Sequence, residues 1–281
     1  MSPVIDIKHL SARSAAGPIL RDVALSVNAG ETMALVGESG AGKSTIAKAV
    51  LGILPQGITV TSGDIVFEGK NLLTLPQREL RKMLGVRIAL IPQDPLTSLN
   101  PARRIGDQLT DGLRLRAGMD GKTARTQATR LLNDVQIRDP ERVLQRYPHE
   151  LSGGMRQRVL IAQAFSLNPQ VIIADEPTTA LDVTVQKQVL RLIRDMQRNH
   201  KTTLLFVTHD LGVVAQVCDR MTVLYGGKVL EQGVVAEILQ SPQHPYTQAL
   251  LAANPRYDRP SQSLKPVPET VLAALKQELS A

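Results

Sequence analysis

The sequence predicts an α/β fold, and three observations carry that expectation. Compact apolar runs at residues 33–36, 87–91, 171–174 and 203–207 read as buried strands, with helix-compatible segments between them. Near the N-terminus, apolar and polar residues alternate as in an antiparallel sheet with one wetted face. From about residue 97 to 150 that alternation stops and apolar residues recur at helical spacing, which suits a helical insert.

Taken in order, Val4, Ile5 and Ile7, then Val23, Leu25 and Val27, make two alternating strands. The loop-forming stretch Ser14-Ala15-Ala16-Gly17-Pro18 separates them. The strand at 33–36 feeds Gly37-Glu38-Ser39-Gly40-Ala41-Gly42-Lys43-Ser44-Thr45, which fits the phosphate-binding pattern G-x-x-x-x-G-K-[ST] at every fixed position. A helix-compatible segment follows at 46–51 and closes near Gly52 and Pro55. Glycines let the backbone wrap a polyphosphate and aim its N–H groups inward, and the helix adds a positive N-terminal dipole. Lys43 would reach the β- and γ-phosphates, and the Ser44 hydroxyl would ligate Mg2+. Residues 63–70 read as a strand entering a turn and joining the first two.

The strand at 87–91 stops at Pro92-Gln93-Asp94-Pro95. In the helical stretch, segments 105–115 and 123–135 are separated by a break between Gly118 and Gly121, and Ala124, Ala128, Leu131, Leu132 and Val135 share one face. Leu151-Ser152-Gly153-Gly154-Met155 opens a helix carrying Val159, Leu160, Ala162 and Ala164. Ser152 and the two glycines make either a second anion site or an ordinary N-cap with a flexible lead-in. The run 171–174 reads as a central parallel strand ending on Asp175-Glu176-Pro177, the edge where parallel sheets receive ligands. One acid there can hold Mg2+ through water while its neighbour polarises the attacking water. Such a pair alone is as readily a solvated strand end; the phosphate loop in the same chain favours catalysis. Residues 185–198 are helical, 203–207 form a strand ending at Thr208-His209-Asp210, and 221–225 and 229–231 flank the hairpin signal Gly226-Gly227. Beyond Ser241 the chain is proline-rich and reads as irregular, apart from a helix around 271–279.

The chain has 281 residues, enough for one large α/β domain with an insert or for two smaller domains. No run is long enough to span a bilayer, and no basic-then-apolar leader opens the sequence, so a cytoplasmic protein is expected. Cys218 is the sole cysteine, which excludes an internal disulfide, a cysteine zinc cluster and a cysteine-ligated iron–sulfur centre; a small packed residue is expected. The net charge of +7 is spread along the chain and only 2 % of residues are aromatic, which argues for a solvated surface rather than a nucleic-acid stacking platform.

These motifs together resemble the nucleotide-binding subunit of an ABC transporter. Gly37 to Thr45 match that family's Walker A, Gln93 its Q-loop, and Leu151 to Met155 its LSGGQ signature with Met155 in the last place. Val171 to Glu176 match Walker B with the catalytic glutamate, Ala180-Leu181-Asp182 the D-loop, and His209 the switch histidine. The resemblance implies a P-loop NTPase (RecA-like) core with an antiparallel β subdomain and an inserted α-helical subdomain. Residues 1–240 would be the cassette, with the helical part at about 97–156, and 241–281 a C-terminal extension. The implied cofactors are ATP and Mg2+, the metal held by Ser44, Gln93 and Asp175. Glu176 would be the general base, with His209 on the γ-phosphate and attacking water and Gln93 sensing metal and water. Thr45 would bind near the α-phosphate. Each ATP would be sandwiched between one chain's Walker A and the partner's Ser152, Gly153 and Gly154, aligned by Asp182. The implied partners are a second cassette, copy or paralogue, transmembrane permease subunits on the cytoplasmic face of the membrane, and indirectly a solute-binding protein.

Residues 174–186 and Ser241-Pro242-Gln243-His244-Pro245-Tyr246-Thr247 are similar to the peptide and nickel importers of that family. Many peptide importers add cysteines in the tail; this tail has none, which leans toward the nickel or metal-chelate type. The family's upstream adenine-stacking aromatic is missing from Ser11-Ala12-Arg13-Ser14, leaving the guanidinium of Arg13 as the available plane. Rival ABC ATPases acting in DNA maintenance carry long coiled coils or zinc modules, and translation-factor types carry two cassettes. This chain offers neither, and no nucleic-acid partner is expected.

Overall fold

The computed structural model describes residues 2–179, 181–253 and 268–280. Ala180 and the tail prolines Pro255, Pro260 and Pro266 therefore lie outside the described residues. Strand β1 (Ile5–Ser14) turns at Ala15-Ala16 into β2 (Gly17–Val27). Strand β1 runs longer than the alternation suggested, because a bulge resets the pattern: His9 takes a left-handed φ of 50° and the register shifts between Lys8 and Ser11. After it, Leu10 and Ala12 resume the buried face. Opposite the bulge, Gly63 comes so close that a Cβ would lie 2.4 Å from the His9 carbonyl oxygen. Next come β3 (Thr32–Val36), buried at all five positions, and α1 (Lys43–Val50). Strand β4 (Thr59–Phe67) pairs antiparallel with β1, Ile7 opposite Ile65, and the Glu68-Gly69 turn leads to the short β5 (Lys70–Asn71).

Helix α2 (Gln77–Met83) buries only Leu80, so no apolar stripe announced it. It is followed by β6 (Ile88–Ile91) and by α3 (Pro95–Ser98), a single turn capped by Asp94. The helical stretch then runs through α4 (Ile105–Ala117), ended by Gly118 in the left-handed region, and α5 (Gly121–Asp134), capped by Asp120. It continues with α6 (Pro140–Leu144) and α7 (Gly153–Phe165). Ala124, Ala128, Leu131 and Leu132 are the buried face of α5, as their spacing required. Then come β7 (Val171–Asp175), α8 (Val183–His200), β8 (Thr203–Thr208) and α9 (Leu211–Val217). The chain closes with β9 (Arg220–Tyr225), β10 (Lys228–Val234), α10 (Val235–Gln240), α11 (Pro245–Ala253) and α12 (Glu269–Ser280).

The chain divides into two compact units. The first comprises chiefly Val27–Glu31 and Thr74–Phe206. Its strands lie in the order β8-β7-β6, with β6 and β7 parallel and Ile91 beside Ala174, surrounded in sequence by helices α2 to α8. The second unit comprises Ile5–Ser26, Thr32–Leu73 and the chain from Val207 onward. It holds the antiparallel sheet β2-β1-β4-β5 and the strands β10-β9-β3. Strands β3 and β9 are parallel, Val36 beside Val223, while β9 and β10 form the hairpin over Gly226-Gly227.

The tail departs from the expectation of an irregular segment. Helix α11 packs Tyr246 and Leu250 into one apolar cluster with Ala34 and Val36 of β3, Met221 and Val223 of β9, and Leu275 of α12. The His244 ring starts the helix by accepting the Tyr246 N–H at 3.1 Å. Prolines dominated the composition there, yet Pro245 stands at the first helical position, where a missing N–H costs nothing.

Candidate functional site

In the second unit the phosphate loop is a product of backbone sterics. Strand β3 is wholly buried and delivers Gly37 at φ 155°, where a Cβ would come within 2.2 Å of the Leu224 carbonyl oxygen on β9. Gly40 and Gly42 hold φ of 84° and 98°. A Cβ on Gly42 would stand 2.7 Å from Leu20 Cδ2, so both conformation and space require glycine there. Gly42 is also the N-cap of α1 and brings no side chain to it, so the helix start offers backbone N–H groups. The Gly227 N–H donates to the Ala41 carbonyl at 3.1 Å, tying the hairpin to the loop. The Lys43 side chain is 5 % exposed and folds back, its ammonium donating to the carbonyls of Gly37 at 2.6 Å and Glu38 at 2.8 Å. Glu38, Ser39 and Gly40 are exposed, while Ser44 and Thr45 are half-buried on the first turn of α1. His209 stands exposed after β8, beside Asp210, whose carboxylate accepts the Gly212 and Val213 N–H groups at the start of α9.

In the first unit β7 ends on half-buried Asp175, and the chain turns at once through Glu176, whose φ of 45° is left-handed. A non-glycine residue in that region stores strain, and the turn aims the Glu176 carboxylate back toward the loop after β6. There the Gln93 side-chain N–H donates to Glu176 Oε2 at 3.3 Å, and the Thr179 hydroxyl donates to the same oxygen at 3.0 Å. The structure thus brings together two residues 83 positions apart. Asp94 holds the loop beyond Gln93 by accepting the Leu96 N–H at 2.8 Å and the Thr97 hydroxyl at 3.0 Å.

Ser152 is the N-cap of α7, its hydroxyl accepting the Met155 N–H at 3.3 Å. Behind it, Gly153 faces open space, whereas a Cβ on Gly154 would sit 2.9 Å from Val185 Cγ1 of α8. Asp182 caps α8 by accepting the N–H groups of Thr184 and Val185. Ser152 and Asp182 are thus engaged at their own helix starts and do not join the Gln93–Glu176 pair. The Thr179 donor and the Asp94 cap were not anticipated. Asp-Pro ahead of a helical turn was a readable signal for the cap; nothing local marked Thr179.

Cys218 packs against the cluster around β3 and β9, and burial, reinforced by the Asp219 charge, pushes its thiol well above the ordinary range. Among the described residues no group of three or more His, Cys, Asp or Glu side chains is arranged to hold a metal. Likewise, no helix among them is long and apolar enough to cross a membrane.

Comparison with known proteins adds three findings. Residues 20–179 match the family profile described as ABC transporter, and residues 230–278 that of the oligopeptide/dipeptide transporter C-terminal region. The chain is 48 % identical over 274 residues to a probable D,D-dipeptide transport ATP-binding protein of Escherichia coli, covering 96 % of this chain and 84 % of that one. It is 43 % identical over 272 residues to an oligopeptide transport ATP-binding protein of Haemophilus influenzae, covering 95 % and 84 %. A solved dimeric ATP-binding cassette in a post-hydrolysis state, bound to ADP and Pi, superposes with a TM-score of 0.72 at 27 % identity, over 82 % of this chain and 98 % of that one.

Proposed function

The chain belongs to the ABC transporter family and is the ATP-hydrolysing subunit of an importer, and on that premise we propose how its residues divide the work and what the importer carries. ATP is held by Gly37, Glu38, Ser39, Gly40, Ala41, Gly42, Lys43, Ser44 and Thr45. The loop's backbone N–H groups and the start of α1 face the phosphates, and Lys43 leaves the Gly37 and Glu38 carbonyls for the β- and γ-phosphates. Ser44, Gln93 and Asp175 offer only oxygen donors of the hard kind that Mg2+ takes, and too few to hold it without the substrate's phosphates. Held there, Mg2+ would supply positive charge against the negative charge that develops on the phosphates during transfer.

Glu176 is the general base. It takes a proton from water as the water oxygen bonds the γ-phosphorus and the bond to the ADP oxygen breaks, giving ADP and phosphate. Gln93 and Thr179 hold its Oε2 in one direction. His209 contacts the γ-phosphate and attacking water. Ser152, Gly153 and Gly154 close over the phosphates of a second cassette, a copy or a paralogue, with Asp182 aligning the pair; a dimeric solved relative with ADP and Pi supports this. The helical stretch between Thr97 and Glu150 passes the motion to permease subunits on the cytoplasmic face of the membrane.

The cysteine-free tail leans toward a metal chelate, but of the two solute classes we favour a small peptide. Relatives named for dipeptide and oligopeptide transport match 95–96 % of the chain, and the tail matches a peptide-transporter profile. The observation that carries the whole reading is the Gln93–Glu176 contact at the end of β7, in a chain whose glycine loop is sterically committed to its shape. The test is Glu176→Gln in the assembled transporter. It should keep Mg-ATP binding and lose turnover by about 100-fold or more, the low end of what a general base supplies. Undiminished turnover refutes the assignment.

A further inference from the structure

The core beneath the phosphate loop contains a phenol to which the reaction gives no task. Tyr246, the second residue of α11, is fully buried, and its ring lies 4.9 Å from that of Tyr225. Tyr225 follows Leu224, the residue whose carbonyl oxygen leaves no room for a side chain on Gly37. Ala34 and Val36, on the strand that delivers the loop, share the Tyr246 cluster. The extension therefore packs on both structures that hold the loop's entry. The Tyr246 hydroxyl is itself buried and, among the described residues, has no partner at good hydrogen-bond geometry, which folded chains rarely tolerate without a purpose.

The charged group it faces is Glu38. Burial pushes the phenol up, and the nearby Glu38 charge pushes it further. Glu38 is also one of the two residues whose carbonyls hold the Lys43 ammonium. Once Lys43 turns to a phosphate, the residue 38 peptide loses that tether. A phenol can both donate and accept, so the buried hydroxyl is suited to hold the peptide in its turned position.

We propose that Tyr246 is a positioning residue for the phosphate loop, holding residue 38 when Lys43 leaves its carbonyl, so that the C-terminal extension sets the cassette's affinity for nucleotide. This rests on the reading of Gly37 to Thr45 as the ATP site. The test measures Mg-ATP affinity and thermal midpoint for the full chain and two variants. Tyr246→Phe keeps the ring and removes the oxygen; its Mg-ATP Kd should rise about fivefold, the equivalent of one net hydrogen bond, with the midpoint unchanged or higher. Leu250→Ala, in the same cluster, should lower the midpoint and leave the Kd as it was. Unaltered affinity in Tyr246→Phe, or an equal loss in Leu250→Ala, overturns the proposal. An unsubstituted chain that binds no Mg-ATP instead overturns the reading of the loop, and the proposal with it.

Discussion

Gly153 and Gly154 are neighbours in the chain, yet a methyl group on each would meet different surroundings. At Gly153 nothing lies within 4 Å of the added carbon, while at Gly154 it would press on Val185 Cγ1 at 2.9 Å. One glycine is thus required by packing and the other leaves a backbone open to approach. Gly154→Ala should push α7 away from α8 and cost about 1 kcal/mol of stability, read as a lowered denaturation midpoint. Gly153→Ala should melt at the original temperature or slightly above, because alanine is the better helix former. If Gly153 closes over a partner's phosphates as proposed, the alanine should still lower ATPase activity by obstructing their approach. Loss of stability at Gly153 with full activity would assign it a structural role instead.

At the scale of elements, the C-terminal helices are joined to the strands by a carboxylate. Glu231 on β10 accepts the Gln243 N–H at 2.8 Å and the His244 N–H at 3.1 Å, just before α11. Burial alone pushes the Glu231 carboxyl up, but the Gln243 N–H and the His244 N–H hold it below its ordinary value of 4.5. A carboxyl depressed by folding contributes stability above its unfolded value, and that contribution is lost as pH falls through the lower folded value. The midpoint difference between the unsubstituted chain and Glu231→Gln should therefore be full near neutrality and shrink below about pH 4.5. A difference that does not change with pH would show that charge plays no part in the anchor. None of this was legible in a proline-rich tail, because the signals for α11 are a proline at its first position and a core 200 residues upstream in β3, which is roughly the reach of the fold rather than of local spacing. The phosphate loop was legible for the opposite reason: its glycines, lysine and flanking apolar strand are contiguous, and each is required locally. The Gln93–Glu176 contact lies between these cases, since each residue stood at a readable strand end but only the parallel pairing of β6 and β7 makes them meet. The bulge at His9 left no pattern that alternation alone detects.

For the whole molecule, the decisive question is whether a working site needs two chains. The loop from Gly37 to Thr45 and the start of α7 at Ser152 to Gly154 belong to different compact units, and both are proposed to face phosphate. In a symmetric head-to-tail pair, each site takes its loop from one chain and its glycine-led helix from the other. A chain carrying Lys43→Ala keeps a sound Ser152-Gly153-Gly154, and a chain carrying Gly153→Val keeps a sound loop. Either variant alone assembles only broken sites. In a mixed pair one site receives both substitutions and the other receives neither. Equal mixing makes half of the pairs mixed, so about a quarter of all sites are whole and about a quarter of the original ATPase rate should return if sites act independently. The open surroundings of Gly153 make the valine variant a fair partner, because its Cβ meets nothing within 4 Å in its own fold. A rate on mixing no greater than the sum of the two variants would refute a site shared between two copies of this chain.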